Sequence, residues 1–196
     1  MKKTIMSLAM VSALFSAGAM AALTNGQADN SASTANLNFT GKVTSSLCQV
    51  NTNDLDKTIQ LGDISLSELN NNNGQSPYIS FQVGLVNCDP TVATINYVIS
   101  DGNNSPATGT TSEYLVPKST STSASGVGVY IADSEHTNIK IGDNKALTVI
   151  KDASGALSEQ TIPLTAYMKK SGGTATAGTV EATGIMTIKA NAANLG

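Results

Sequence analysis

An all-β sandwich is the fold class this sequence predicts, and three observations predict it. Apolar and polar residues alternate in short runs, the period of half-buried strands. No segment sustains a helical period. Strand signals return every ~10–15 residues between polar, turn-rich stretches, the spacing of a sandwich rather than of a helix-bearing fold. The clearest runs are Ile79-Phe81-Val83-Leu85, Ile95-Tyr97-Ile99, Val127-Val129-Ile131, Ile162-Leu164-Ala166-Met168 and Val180-Ala182-Gly184-Met186-Ile188.

Taken in order, the first residues read as an export signal. Lys2 and Lys3 form a basic start, residues 5–15 an apolar stretch, and Ala19-Met20-Ala21 a small-residue cleavage site. A membrane anchor is the weaker reading, because the run is short and contains Ser7 and Ser12. Residues 1–21 are therefore expected to be removed, leaving 175 of the 196 residues, enough for one domain. A polar arm follows, LTNGQADN and then SASTA, too poor in apolar residues to form a core of its own. From Leu37 the alternation begins: Leu37, Phe39, Gly41 and Val43.

The chain then enters Cys48 through a strand expected over 43–50, and a short strand is expected at Ile59-Gln60-Leu61, ended by Gly62. Residues 65–77 read as a loop with one helical turn at SLSEL, and residues 100–106, SDGNNSP, as a turn cluster. Tyr114-Leu115-Val116 is a short strand closed by Pro117, and KSTSTSASG (118–126) an exposed loop. Further short strands are expected at 138–141 and 147–150. Gly172-Gly173 reads as a hairpin connection between the last two strands. No linker composition appears in the middle of the chain.

Composition narrows the function. Without Lys2 and Lys3 the chain keeps 9 lysines against 14 acidic residues, a net charge near −5, and it has no arginine. Nucleic-acid binding needs clustered cations, so no nucleic-acid partner is expected. Aromatic residues are few and tryptophan is absent, which argues against a stacking platform for bases or sugars.

Cys48 and Cys88 are the only cysteines. In an exported chain they are expected to form a disulfide rather than a metal site or redox pair, since neither a CxxC motif nor a neighbouring histidine accompanies them. Closing a loop of that length contributes ~4 kcal/mol on the chain-entropy model.

Chemistry finds little support. His136 is the sole histidine and sits in the polar stretch ADSEHTN, with no serine motif to build a triad around it. Asp54, Asp56 and Asp101 lack a calcium-loop spacing and stand where turns favour Asp. Gly172-Gly173 lacks the GK[ST] of a phosphate loop. No catalytic residue, no metal ligand and no cofactor is expected. An exported hydrolase relying on His136 or a carboxylate is the remote alternative.

One ordered set of segments carries a resemblance: GKVTSSLCQV, IQLGDIS, FQVGLVNCD, GVGVYI, IPLTAYM and TAGTVEATGIMTIK. With the export signal and the single cysteine pair, this set resembles the major structural (pilin) subunits of chaperone–usher fimbriae along essentially the whole exported chain. The resemblance implies an incomplete immunoglobulin-like Greek-key sandwich that lacks its last strand, with an N-terminal donor-strand extension. It divides the chain into a signal peptide (1–21), the extension (22–40) and a pilin domain (41–196).

It further implies donor-strand complementation, in which a neighbouring subunit's extension supplies the missing strand, a case of β-strand addition. On that implication Ser31, Ser33, Ala35, Leu37 and Phe39 form the face of the donor strand, and Val180, Ala182, Gly184, Met186 and Ile188 the edge of the acceptor groove. The implied partners are neighbouring copies in the fibre, a periplasmic chaperone, an outer-membrane usher and a tip adhesin. Many relatives end with a penultimate tyrosine just past the last strand; here Ala190 holds that place and 191–196 run on. Two other readings stand beside this one. The chain could be a minor or tip subunit that binds host glycans, and Leu37–Val43 could be an ordinary first strand of its own sandwich.

Overall fold

The computed structural model describes residues 38–39, 47–71, 74–104 and 110–193. The chain divides into two units, 1–43 and 44–196. Of the first unit only Asn38 and Phe39 are described, both exposed, Phe39 at 90%. The signal segment and Ser31, Ser33, Ala35 and Leu37 lie outside the described residues, as do 41–46.

In the second unit the elements are β1 (Gln49–Val50), a 3-10 turn (Thr52–Asp54), α1 (Leu66–Asn70), β2 (Ile79–Val86), β3 (Val92–Asp101), β4 (Val127–Asp133), β5 (Asn138–Ile139), β6 (Asn144–Leu147), β7 (Lys151–Asp152), β8 (Gly155–Ala156), β9 (Gln160–Lys170) and β10 (Gly184–Ala192). One sheet runs β1-β2-β9-β4-β5 and the other β10-β3-β6, with β7 and β8 as a separate hairpin. All the strand pairs are antiparallel. The all-β, two-sheet expectation is met.

Alternation determines which side chains enter the space between the sheets. Leu85 on β2, Ile95, Tyr97 and Ile99 on β3, Val129 and Ile131 on β4, and Ile162 and Leu164 on β9 form one cluster, with Ile95 fully buried. Burial of each large side chain contributes roughly 1.5–3 kcal/mol. A second, smaller cluster joins Leu69 of α1 to Val127, Met168 and Ala175 at one end. Ser65 caps that helix by accepting from the Glu68 N–H (3.2 Å), and Asn70 ties it to Ala175 by accepting from its N–H (3.0 Å) and donating to its carbonyl (3.2 Å).

Several expectations need correcting. Residues 59–61 form no strand: the chain has left the edge of β2, and Gly62 turns it at φ 71°. Gly172-Gly173 is no hairpin, because β9 pairs with β2 and β4 while β10 pairs with β3; the chain crosses from one sheet to the other there. The segment expected over 147–150 is displaced to β6, and the last strand begins at Gly184 rather than at 180 and runs on to Ala192. Ala190 and Asn191 are thus strand residues, opposite Ile95 and Thr94, and Ala193 N–H reaches the Thr91 carbonyl at 3.0 Å.

Low aromatic content hides a local concentration. Tyr114 and Tyr130 lie 5.3 Å apart, Tyr130 and Tyr167 5.4 Å, Tyr167 and Tyr78 4.7 Å, and His136 stacks on Tyr78 at 3.9 Å between ring centres. The cluster covers the outer side of β4, so this strand is buried on both faces. Gly128 makes room for it, since a Cβ there would stand 2.5 Å from the Tyr114 ring.

The Cys48–Cys88 disulfide joins the start of β1 to the end of β2, with 4.1 Å between Cα atoms. Beyond β1 the edge of β2 is closed by side chains. The Asp54 carboxylate accepts the Gly84 N–H at 2.7 Å, and Lys57 Nζ lies 2.5 Å from Asp54 and donates to the Gln82 carbonyl at 2.7 Å.

Two predictions follow from these links. Replacing Cys48 and Cys88 by serine lowers stability by ~4 kcal/mol in urea titrations of the oxidised against the substituted chain. The second concerns acid. Lys57, and then the Gly84 N–H, hold the Asp54 carboxyl below its ordinary value of 3.8. A depressed native value adds stability that is complete above the ordinary carboxylate range and is lost as pH falls through the depressed one. The stability gap between the native chain and Asp54→Asn is therefore constant near neutrality and narrows as pH falls below the ordinary carboxylate range, read from urea midpoints on acidification.

Candidate functional site

The two sheets meet on one side and stand apart on the other. Past its third residue position beyond Cys48, the chain no longer pairs with β2, and among the described residues β10 has β3 on one flank and no strand on the other. Between them opens a cleft of about 1210 Å³. Its floor is the sandwich interior itself: Phe81 and Val83 from β2, Ile99 from β3, Val129 and Ile131 from β4, and Leu164, Ala166 and Met168 from β9.

One rim is β10 with the residues leading into it. Val180, Ala182, Gly184, Met186 and Ile188, the five residues expected at a groove edge, all line the cleft. They reach it by two routes. Gly184, Met186 and Ile188 belong to β10, opposite Asp101, Ile99 and Tyr97. Val180 and Ala182 precede the strand, where the backbone is held by the 118–124 loop: Lys118 N–H donates to the Glu181 carbonyl (2.8 Å), Thr179 N–H to Thr122 (2.9 Å) and Ala124 N–H to Thr179 (2.9 Å). Gly184 keeps its stretch of the wall low, since a Cβ there would stand 3.3 Å from Leu115 Cδ1 and 3.5 Å from Ile99 Cγ2.

The opposite rim was not foreseen. Residues 57–64 line the cleft, yet among the described residues no backbone hydrogen bond joins them to another segment. The sequence hint was present in IQLGDIS, whose alternation promises a strand; the strand partner is what is missing. Asp54 and Lys57 stand at the head of this rim.

Burial makes the site unusual. Phe81, Val83, Val180, Met186 and Ile188 point toward the interior yet are only half-buried, whereas Ile95, Ile162 and Leu164 deeper in the same cluster are at most 1% exposed. A strip of core thus faces the cleft between β10, which among the described residues pairs with β3 alone, and residues 57–64, which among them pair with no strand.

The chemistry of the site is that of packing and strand pairing. Among the described residues no cluster of His, Cys, Asp and Glu could hold a metal ion. His136 lies in the 133–137 turn at φ 62°, stacked on Tyr78. Asp101 is buried and accepts from the N–H groups of Asn103 (2.8 Å), Asn104 (3.0 Å) and Val116 (2.6 Å), so it organises a corner. Burial pushes the phenols of Tyr97, Tyr130 and Tyr167 up, further from ionisation. Of the expected donor residues, only Phe39 is described.

The chain matches the family described as Fimbrial protein over residues 37–191. It is 48% identical to Fimbrial protein 987P of Escherichia coli across 96% of both chains. It is 33% identical to the Type-1 fimbrial protein, C chain, of Escherichia coli over 62% of this chain and 66% of that one. Among solved structures, a chaperone–usher pilus studied for rod uncoiling superposes with a TM-score of 0.60 at 21% identity, covering 81% of this chain and 96% of the other. The P pilus rod subunit PapA gives 0.58 at 20% identity over 74% of this chain and all of its own. The two structures share the fold, the immunoglobulin-like pilin sandwich, and the sequence likeness goes further: this chain belongs to the fimbrial protein family, as a structural subunit resembling the 987P pilin and not as an enzyme.

Proposed function

We propose that this protein polymerises by donor-strand complementation into the shaft of an adhesive fimbria on the cell surface. The observation that carries the reading is the half-buried strip of core lying between β10 and residues 57–64, two rims that among the described residues have no strand paired to them on the cleft side. An open sheet edge beside exposed core invites a strand and is a hazard without one. A strand laid in the cleft gains backbone partners along its length, and its alternate side chains descend onto the floor.

The N-terminal arm has the composition for that role. Ser31, Ser33, Ala35, Leu37 and Phe39 fall on one face of an extended strand, small residues first and large ones last. Leu37 and Phe39 would each contribute roughly 1.5–3 kcal/mol on full burial. Donated by the next copy, the arm links subunits head to tail, and the heterologous contact gives an open filament. Until a neighbour arrives, a periplasmic chaperone would cover the cleft and the outer-membrane usher would exchange it for the donor. The continuation of β10 to Ala192 puts residues 190–192 on the sheet, within the edge that the chaperone would cover.

Two outcomes are expected. Deleting residues 22–39 from the mature chain leaves a folded subunit that forms no fibres, shown by electron microscopy and by loss of the ladder on unheated detergent gels; fibres from the truncated chain would refute the donor assignment. Ile188→Lys, at a half-buried position facing the cleft, leaves circular dichroism unchanged. It cuts ladder formation at least about tenfold, because a lysine side chain resists burial without a partner.

A further inference from the structure

The way β1 ends contains an unexplained choice. β1 pairs with β2 for two residues only, Gln49 with Val86 and Val50 with Leu85, although β2 continues to Ile79. In an antiparallel strand, alternate residues direct both N–H and C=O to the same edge. Gly84, Gln82 and Ser80 therefore face the flank that β1 has left. The following sequence, Thr58-Ile59-Gln60-Leu61, alternates in the manner of a strand and could have continued the ladder. It lines the cleft instead.

The departure is built from side chains. Asn51 N–H still gives to the Gly84 carbonyl at 2.9 Å, but the Asn51 carbonyl is drawn into the 3-10 turn by Asp54 N–H at 2.9 Å. That would orphan the Gly84 N–H; the Asp54 carboxylate accepts it. Lys57 then spans from Asp54 to the Gln82 carbonyl, two residues further along the edge. Gly84 has the size this needs, for a Cβ would stand 3.2 Å from Asp54 Oδ2 and 3.5 Å from Asn51 Cβ. Asp54 is 13% exposed, sheltered enough that these charge-assisted bonds are screened less than those of a surface pair.

We propose that Asp54 and Lys57 are positioning residues for strand acceptance: by closing the edge of β2 they stop residues 58–61 from zipping onto it, and so keep that segment free as the second rim of the cleft. The inference rests on the reading of the cleft as a strand acceptor. Without the clip, the segment has a competing partner within its own subunit. A rim paired to β2 has its backbone groups occupied, and an incoming strand then finds only β10.

The test compares the mature native chain with Asp54→Ala and Lys57→Met, using hydrogen exchange on the monomeric fraction and assembly on unheated gels. In the native monomer the amides of 58–61 exchange fast, as unpaired groups do. In both variants they slow by about tenfold or more, and ladder formation slows several-fold while circular dichroism is unchanged. Fast exchange at 58–61 in both variants, with only the Gly84 amide accelerated, overturns the proposal, since the clip would then be a local bond. Should Asp54→Ala unfold, Lys57→Met decides alone: it keeps the acceptor for the Gly84 N–H and removes the lysine from both the Gln82 carbonyl and the Asp54 carboxylate. A native chain that forms no ladder refutes the acceptor reading, whereas the exchange comparison still decides the clip.

Discussion

The constraint on which the rest of this molecule depends is an unfinished sheet. β10 hydrogen-bonds to β3 along nine residues and, among the described residues, to no strand on its other flank, and the gap leaves part of the interior uncovered. A sandwich normally hides its apolar faces by bringing the edges of two sheets together. Here one pair of edges is held apart, and several local features maintain the separation. The disulfide fixes where β1 begins, the Asp54–Lys57 clip determines where it leaves β2, and the 118–124 loop braces the approach to β10. Each of these could be lost without changing the class of the fold, but the shape of the cleft relies on all three.

The opposite side of the molecule is over-packed by comparison. Four tyrosines and His136 seal the outer face of β4, and Leu115 beneath them reaches through to the cleft floor. The strap that carries Tyr114 pairs with β4 through Leu115 and Val129. Stiffness behind the floor has a physical use. A groove that must stay open while exposing apolar side chains gains from walls that cannot collapse inward to cover them.

Much of the fold was legible in the residues. The strands with clean alternation, from Ile79 to Leu85 and from Ile162 to Met168, lie where their period puts them, because one face of each packs into the core and a register slip would bury polar groups. The five residues that the family resemblance put at a groove edge all line the cleft: spaced by two, they share a face, and Val180 and Ala182 reach it although their segment precedes the strand and is held by a loop contact. What the alternation could not disclose was partnership. Ile59 and Leu61 have the pattern of a strand and lack the neighbour that would make them one. Asp54 looked like a turn residue; its distinctive contact is with Gly84, 30 residues away, and such pairings leave no local mark. The aromatic cluster escaped for a related reason, since composition averages over a chain while Tyr78, Tyr114, Tyr130 and Tyr167 meet only in space.

The continuous register of β10 has a mechanical consequence. From Gly184 to Asn191 its residues face β3 one for one, from Asp101 back to Thr94, with the single irregularity at the far end. A load applied along the strand axis therefore falls on the whole ladder at once, in shear, rather than peeling bonds singly from one end. A strand lying alongside β10 would be loaded the same way, and the joint would resist tension far better than its free energy of binding alone suggests.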